Sequence, residues 1–453
     1  MSQPASLGTK DIIVRLLGNL GSKREVEQYL RHYSSVDSQK FAIIKVGGSI
    51  LETQLDTLAS SLSFLQTVGL TPIVIHGAAP QLGNALAEAG VPDEQIGNHR
   101  VTTPGVLEVA RRVLMRENLR LVEALEALGT RARPISSGVF EARRVDDERV
   151  GLVGEVSAVH NDAITSAIRS GHLPIIAPLG ETAEGQILGL SADRAAYKLA
   201  LHVRPHKLIL LTETGGILDD EGQLFSAINL EEDYDTLMQE EWVHEDMRER
   251  LDDLKRLLEK LPASTSVSIT SPEHLAKELF THKGAGTLVR LGERVRVYER
   301  FDDVDKGRLQ ALLECCFGRR LSPSYFQDKQ PFRIYLADSY RATAILTKES
   351  GIPYLDKFAV TAEAQGAGIG GSIWLRMTRE NPKLFWRARA DNAINTWYFQ
   401  NSDGAYKTDR WVVFWIGLEG FDEVRACVER ALSLPATLKE HGTGELPPMQ
   451  DMT

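Results

Sequence analysis

The chain has 453 residues, of which 43% are hydrophobic and 25% charged, a length at which two or three domains are expected rather than one core. Its net charge of −10 argues against a general nucleic-acid binder, and no apolar run approaches the ~18 residues of a membrane span. The three cysteines, Cys315, Cys316 and Cys427, are too few for a disulfide framework, and the start of the chain lacks the apolar core of an export signal, so a reducing cytoplasm is the expected compartment.

Residues 1–40 begin with an apolar stripe of Ile12, Ile13, Leu16, Leu17 and Leu20 and then turn polar, which predicts an N-terminal helical arm. From 41 to 292, short β-branched runs alternate with amphipathic stretches, the pattern of an α/β fold with a mostly parallel sheet between helices. The predicted strands are 41–46, 70–76, 173–179 and 207–213; Leu55, Leu58, Ala59, Leu62 and Leu65 predict a crossover helix, and a second helix is expected over 104–128. Glycines and charges near 293–300 predict a linker. Residues 301–453 carry RIYLADS, ATAILTK, YLDKFAV and WVVFWIG around one glycine-rich turn, as expected of a small α+β domain with a loose tail.

That turn, Gln365-Gly366-Ala367-Gly368-Ile369-Gly370-Gly371, follows a strand and opens a helix. Glycines let a phosphate approach the backbone while N–H groups at the helix start face it, so the pyrophosphate of coenzyme A fits. The nucleotide P-loop is disfavoured because Gly371 is followed by Ser372 and Ile373 rather than a Lys-Ser/Thr ending. A dinucleotide loop, with Asp391 near the ~20-residue offset of a ribose acid, and a merely structural turn remain open.

The surroundings carry a resemblance. Gln365-x-x-Gly368-x-Gly370 after a strand is similar to the acyl-CoA loop of the GNAT acetyltransferases. YLDKFAVTAEAQGAGIGGSIW and LFWRARADNAINTWYFQNSDGAY resemble the acetyltransferase domain of the vertebrate-like N-acetylglutamate synthases. The resemblance implies acetyl transfer from acetyl-CoA to the α-amine of L-glutamate, in arginine biosynthesis, with catalytic roles on Lys357 and Tyr398. A phenol is protonated at neutral pH and can donate to a departing thiolate; an ammonium can hold a carboxylate or lower an amine's pKa. Two substrate carboxylates call for guanidinium forks, for which Arg387 and Arg389 are candidates, with Asn392 adding an amide contact. Taken without the resemblance, Tyr398 and its aromatic neighbours are core residues and the two arginines lie on a solvated face.

Residues 41–292 resemble the amino-acid kinase family, and N-acetylglutamate kinase within it, through IKVGGS, VIHGAAP, RVT, SAD, TETGGIL and ELFTHKGAGTLVR. Lys45, Gly47 and Gly48 match the first lysine and loop, Gly77 the second loop, Arg100 the substrate arginine and Asp193 the organising aspartate. Ala78 and Ala79 stand where that pattern has glycines, Gly189 and Ser191 where it has asparagines, and Arg250 where it has a lysine. These departures predict an impaired kinase kept for regulation; ATP and magnesium are expected only if the site is active. The alternatives are a bifunctional synthase and kinase, or an arginine-binding regulator without catalysis. No protein-held metal is expected. Family resemblance further implies a homo-oligomer, a tetramer, with L-arginine as effector near His274 and Glu278, which are expected to share one helical face.

Overall fold

The computed structural model describes residues 41–262, 265–280, 285–349, 351–361, 364 and 368–439. The expected N-terminal arm and tail lie outside these residues. The described residues divide into two compact units, the second formed by Glu231–Asp233 and everything from Gly292 onward.

The first unit is built on eight strands: β1 (Ala42–Val46), β2 (Ile73–His76), β3 (Ala132–Ile135), β4 (Leu173–Ile176), β5 (Lys207–Leu211), β6 (Ala227–Asn229), β7 (Ser266–Thr270) and β8 (Thr287–Arg290). Their order is β6-β8-β7-β5-β1-β2-β4-β3, parallel throughout except where β7 meets β8. A sheet covered on both faces needs continuous apolar strands, and β1 and β5 supply them: Ile43, Ile44, Leu208 and Ile209 are fully buried. The crossover helix α1 (Leu55–Thr67) buries Leu58, Ala59, Leu62 and Leu65, as its spacing predicts. Helix α2 (Ala79–Glu88) follows β2 directly. Helix α3 (Pro104–Ala127) starts where the Thr103 hydroxyl accepts from Val106 N at 3.2 Å, with proline in the first turn.

Two details differ from the sequence reading. The run 173–179 is not one strand: it leaves the large sheet after Ile176 and re-enters a separate four-stranded sheet as Leu179–Glu181. Pro178 has no N–H to continue a ladder, which explains the break. The expected linker 293–300 contains strand β9 (Val295–Tyr298), whose apolar Val295 and Val297 pack into the second unit.

That unit is a seven-stranded sheet of β9, β10 (Arg333–Ala337), β11 (Ala342–Glu349), β12 (Ile352–Val360), β13 (Leu384–Arg389), β14 (Gly404–Lys407) and β15 (Trp411–Ile416). The order is β9-β10-β11-β12-β13-β15-β14, and only β12 and β13 run parallel. Alternation along the strands sends one set of side chains, including Leu355, Trp386 and Phe414, against helix α4 (Ile369–Glu380). The opposite set, including Ile334, Ile345 and Phe385, meets the helix Lys306–Phe317, the short turn Tyr325–Asp328, and the last helix, Phe421–Ser433.

Burial ranks the elements by their contribution. Ile209→Ala, in the middle of the parallel sheet, is expected to cost about 2–5 kcal/mol. Arg112→Ala should stay within about 0.5 kcal/mol, because its ion pair with Glu108 is long, at 3.8 Å, and solvent-exposed on both sides. Urea unfolding of the two variants checks the contrast.

Candidate active site

In the second unit, β12 and β13 are paired only at Tyr354–Phe385 and Leu355–Trp386. Beyond those residues the two strands no longer pair, so the backbone of β12 from Asp356 onward lacks a partner strand on the β13 side. A β-bulge falls at the same place: Ile345 of β11 faces Lys357 and Leu346 faces Leu355, leaving Asp356 as the extra residue. A parallel pair that separates in mid-sheet exposes main-chain donors and acceptors to whatever enters the opening.

The predicted catalytic residues flank that opening on opposite faces. Lys357 is 5% exposed, and its ammonium donates to Asp356 Oδ2 at 2.6 Å and Thr437 Oγ1 at 2.6 Å, over the ring of Tyr325. Burial pulls the Lys357 ammonium below the usual lysine range, against the opposing pull of Asp356. Tyr398, on the short helix Asn395–Gln400, lies in the aromatic cluster of the other face, 5.3 Å from the ring of Trp386 and 5.3 Å from Phe414. Burial raises its phenol far above the usual range, so it stays protonated at any physiological pH. No hydrogen bond to another described residue engages that hydroxyl.

Arg387 shares the Lys357 face, as strand alternation requires. Its two terminal nitrogens donate to Ala431 O at 2.6 Å and Pro435 O at 3.0 Å, and its plane lies 4.2 Å from Trp411. Three of its five N–H donors remain uncommitted by these bonds. Arg389, on the same face, is only loosely paired to Asp391 at 3.9 Å. Asn392 is exposed, and its side-chain oxygen accepts from Ile394 N at 3.3 Å, a local turn rather than a contact with Arg387.

Of the glycine turn, Gln365 and Gly366 fall outside the described residues. Gly368 adopts φ +72° immediately before α4, a left-handed conformation that side chains resist. A Cβ on Gly370 would meet Val360 at 2.8 Å, whereas one on Gly371 would meet nothing within 4 Å. The first glycine of that pair therefore serves strand–helix packing, and the second leaves room at the helix start for an anion such as pyrophosphate.

Sequence reasoning missed a charged ladder beside Lys357. Asp356 pairs with Lys329 at 3.4 Å, Lys329 reaches Glu349 at 4.0 Å, and Glu349 holds Arg430 at 2.7 Å. Buried charge in YLDKF was its only signal, because the other partners lie far away in the chain.

The first unit gathers a second constellation. Lys45, at the end of β1, pairs with Asp193 at 2.8 Å, at the start of helix Ala192–Val203. A Cβ on Gly48 would sit 2.9 Å from Ala78 Cα and from Ala79 N, so the loops after β1 and β2 touch, and Gly47 and Gly77 lie in them. Ala78 is buried in an apolar cluster with Leu86, Val106, Val109 and Leu179. Arg100 pairs with Asp93 at 2.9 Å, and half-buried Arg250 lies close enough to Tyr197 to influence its phenol. His274 immediately precedes the short helix Leu275–Phe280, and its carbonyl accepts from Glu278 N at 2.9 Å, but the two side chains meet different surroundings. His274 is exposed and bonds Ser271 at 3.0 Å, while Glu278 is buried and accepts from Ala285 N at 2.9 Å and Gly286 N at 3.2 Å.

Residues 40–271 match the amino acid kinase family, and residues 295–433 match NAT, N-acetyltransferase, of N-acetylglutamate synthase. The chain is 48% identical over 419 residues to a protein of Xylella fastidiosa named acetylglutamate kinase, covering 92% of this chain and 100% of that one. It is 34% identical to human mitochondrial N-acetylglutamate synthase, over 89% of this chain and 73% of the human one. The fold matches the N-acetylglutamate synthase of Neisseria gonorrhoeae solved with coenzyme A and N-acetyl-glutamate, with TM-score 0.62 at 20% identity, over 87% of this chain and 98% of that one. The chain thus belongs to the amino acid kinase family, in the branch that joins the kinase fold to the N-acetyltransferase domain of N-acetylglutamate synthase.

Proposed function

We propose that the second unit transfers the acetyl group of acetyl-CoA to the α-amine of L-glutamate, an entry step of arginine biosynthesis. The observation that carries the reading is the separation of β12 from β13, with buried Lys357 on one face and buried Tyr398 on the other. A thioester in that opening would present its carbonyl to the unpaired β12 backbone, its coenzyme toward Gly368–Gly371 and α4, and its acetyl carbon to an amine arriving from the Lys357 face. Lys357, Arg387 and Arg389 make that face cationic, which suits a dicarboxylate.

The chemistry follows from the charges. The substrate amine gives up one proton to solvent, helped by positive charge beside it; its nitrogen then attacks the acetyl carbon and releases a second proton to solvent as the amide forms. The C–S bond breaks, and the thiolate takes a proton from the Tyr398 hydroxyl, which solvent restores. Asn392 joins this reading only as a residue that shapes the turn before the tyrosine helix.

In the first unit the Lys45–Asp193 pair is intact and the loops after β1 and β2 touch, and the Xylella relative bears the kinase's name. These support retained phosphorylation of N-acetylglutamate with ATP and magnesium, in preference to the impaired site expected from the sequence. Lys45, Gly47, Gly48, Gly77, Arg100, Asp193 and Arg250 would then hold nucleotide and substrate. Arginine as effector near Glu278, and assembly into a homo-oligomer, extend the proposal. Three free cysteines support a reducing compartment, and among the described residues no helix is long and apolar enough to cross a membrane.

Tyr398→Phe is expected to lower kcat by ~10²–10⁴-fold with little change in KM for glutamate, because the hydroxyl acts on the departing thiolate. Steady-state thiol release measures both constants; unchanged turnover would remove the acid role. For the first unit, ATP-dependent acyl phosphate trapped as the hydroxamate is expected from the unmodified protein and not from Lys45→Met, while acetyl transfer survives in both. Absence of hydroxamate from the unmodified protein would restore the impaired-site expectation.

A further inference from the structure

In a regular strand, residues 356 and 357 would point to opposite faces of the sheet. The bulge in β12 removes that alternation, and Asp356 and Lys357 meet at 2.6 Å on one face. Both side chains are nearly closed to solvent, 4% exposed for the lysine and 6% for the aspartate. A lysine in such a place loses its proton readily unless an anion stands beside it.

We propose that Asp356 is a positioning residue of the acetyl transfer: through the bulge it fixes the Lys357 ammonium, in its charged form, on the face where the substrate's carboxylates bind. The inference rests on the acetyl-transfer reading.

The groups around the pair make the case specific. On the Asp356 side, Tyr325 donates its hydroxyl to the same oxygen at 2.8 Å, and Lys329 approaches the other oxygen at 3.4 Å. Farther out stand Glu349 at the end of β11, Arg430 on the last helix, and Tyr354 on β12 itself. On the Lys357 side, Thr437 accepts at 2.6 Å and Arg387 of β13 adds a repelling charge. Among the described residues, Asp356 is therefore the anion directly between the buried Lys357 ammonium and the half-buried Lys329 ammonium. Burial pushes its carboxyl up, but Lys357 and Lys329 outweigh that and hold it below its ordinary range, so it is an anion throughout the working pH range and a poor base. Its role is to act through Lys357.

The sign of the effect is fixed by these charges. Asp356 raises the lysine's pKa and Lys329 lowers it. Neutralising Asp356 must make Lys357 lose its proton at lower pH, and neutralising Lys329 must do the reverse. The test is the pH profile of kcat/KM for glutamate in the full-length protein, for Asp356→Asn, Asp356→Glu and Lys329→Met. Asp356→Asn is expected to move the basic limb to lower pH by about one unit or more and to lower kcat/KM for glutamate by at least ~10-fold at neutral pH, with KM for acetyl-CoA within ~3-fold. Asp356→Glu should return most of the limb, and Lys329→Met should move it to higher pH. A purely structural role would lower activity evenly and leave the limb in place.

An unmoved limb in Asp356→Asn, or wild-type kinetics, overturns the proposal. Should Asp356→Asn fail to fold, Lys329→Met carries the same test from the other side, and an unmoved limb there overturns it equally. Lys357→Met, run in parallel, separates this inference from the reading beneath it: an active Lys357→Met protein removes the catalytic assignment itself. An inactive Lys357→Met with an indifferent Asp356→Asn removes only the role of the aspartate.

Discussion

The second unit depends on an interruption. A seven-stranded sheet with cores on both faces would ordinarily pair every strand along its length, and β12 and β13 stop after two residues each. Unpaired main-chain groups inside a protein are costly, so such a gap persists only where the flanking structure holds it open and something else can meet those groups. Here the flanks are rigid: Trp374, Trp386, Trp397, Tyr398 and Phe414 interlock on one face, and the Asp356–Lys357–Lys329 ladder locks the other. The same gap puts a phenol and an ammonium on either side of one opening. On the proposed reading, that juxtaposition makes the opening the place where a thioester and an amine meet.

The two faces have different characters, and the difference sorts the roles. The Tyr398 face is aromatic and nearly uncharged, which keeps the phenol protonated and suits a thiol's departure. The Lys357 face carries Lys357, Arg387, Arg389, Lys329 and Arg430, with Asp356 and Glu349 between them. Cations exceed anions there, which favours a substrate that brings two carboxylates over a neutral amine. In the first unit the logic is separate: two loops after adjacent parallel strands touch through Gly48, and a lysine and an aspartate close the space at the strands' ends.

Much of this was legible in the residues. Continuous apolar runs located β1 and β5, and helical spacing of Leu55 through Leu65 located a crossover. Local reading failed in two places: Pro178 splits one apolar run between two sheets, and four residues in the charged stretch after Gly292 form strand β9. In the site, Lys357 and Tyr398 were reachable through family resemblance, but their placement on opposite faces was not, because it depends on the register of three strands and one bulge. Asn392 and the His274–Glu278 pair looked like ligands by residue type and spacing. The fold uses Asn392 to shape a turn and turns Glu278 inward to satisfy two loop amides. Ala78, at a glycine position of the family pattern, is buried in an apolar cluster, a placement that residue type alone does not reveal.

The central claim is that one opening serves acetyl-CoA and a dicarboxylic amino acid together. Incubating the unmodified full-length protein with acetyl-CoA and an equimolar mixture of glutamate, glutamine, aspartate and lysine, then identifying the acetylated products by mass spectrometry, tests it most directly. The account predicts N-acetylglutamate as the dominant product, acetylated at the α-amine, with glutamine and lysine left nearly untouched. Acetylation spread evenly over the four amino acids, or none at all with coenzyme A still bound, would contradict it.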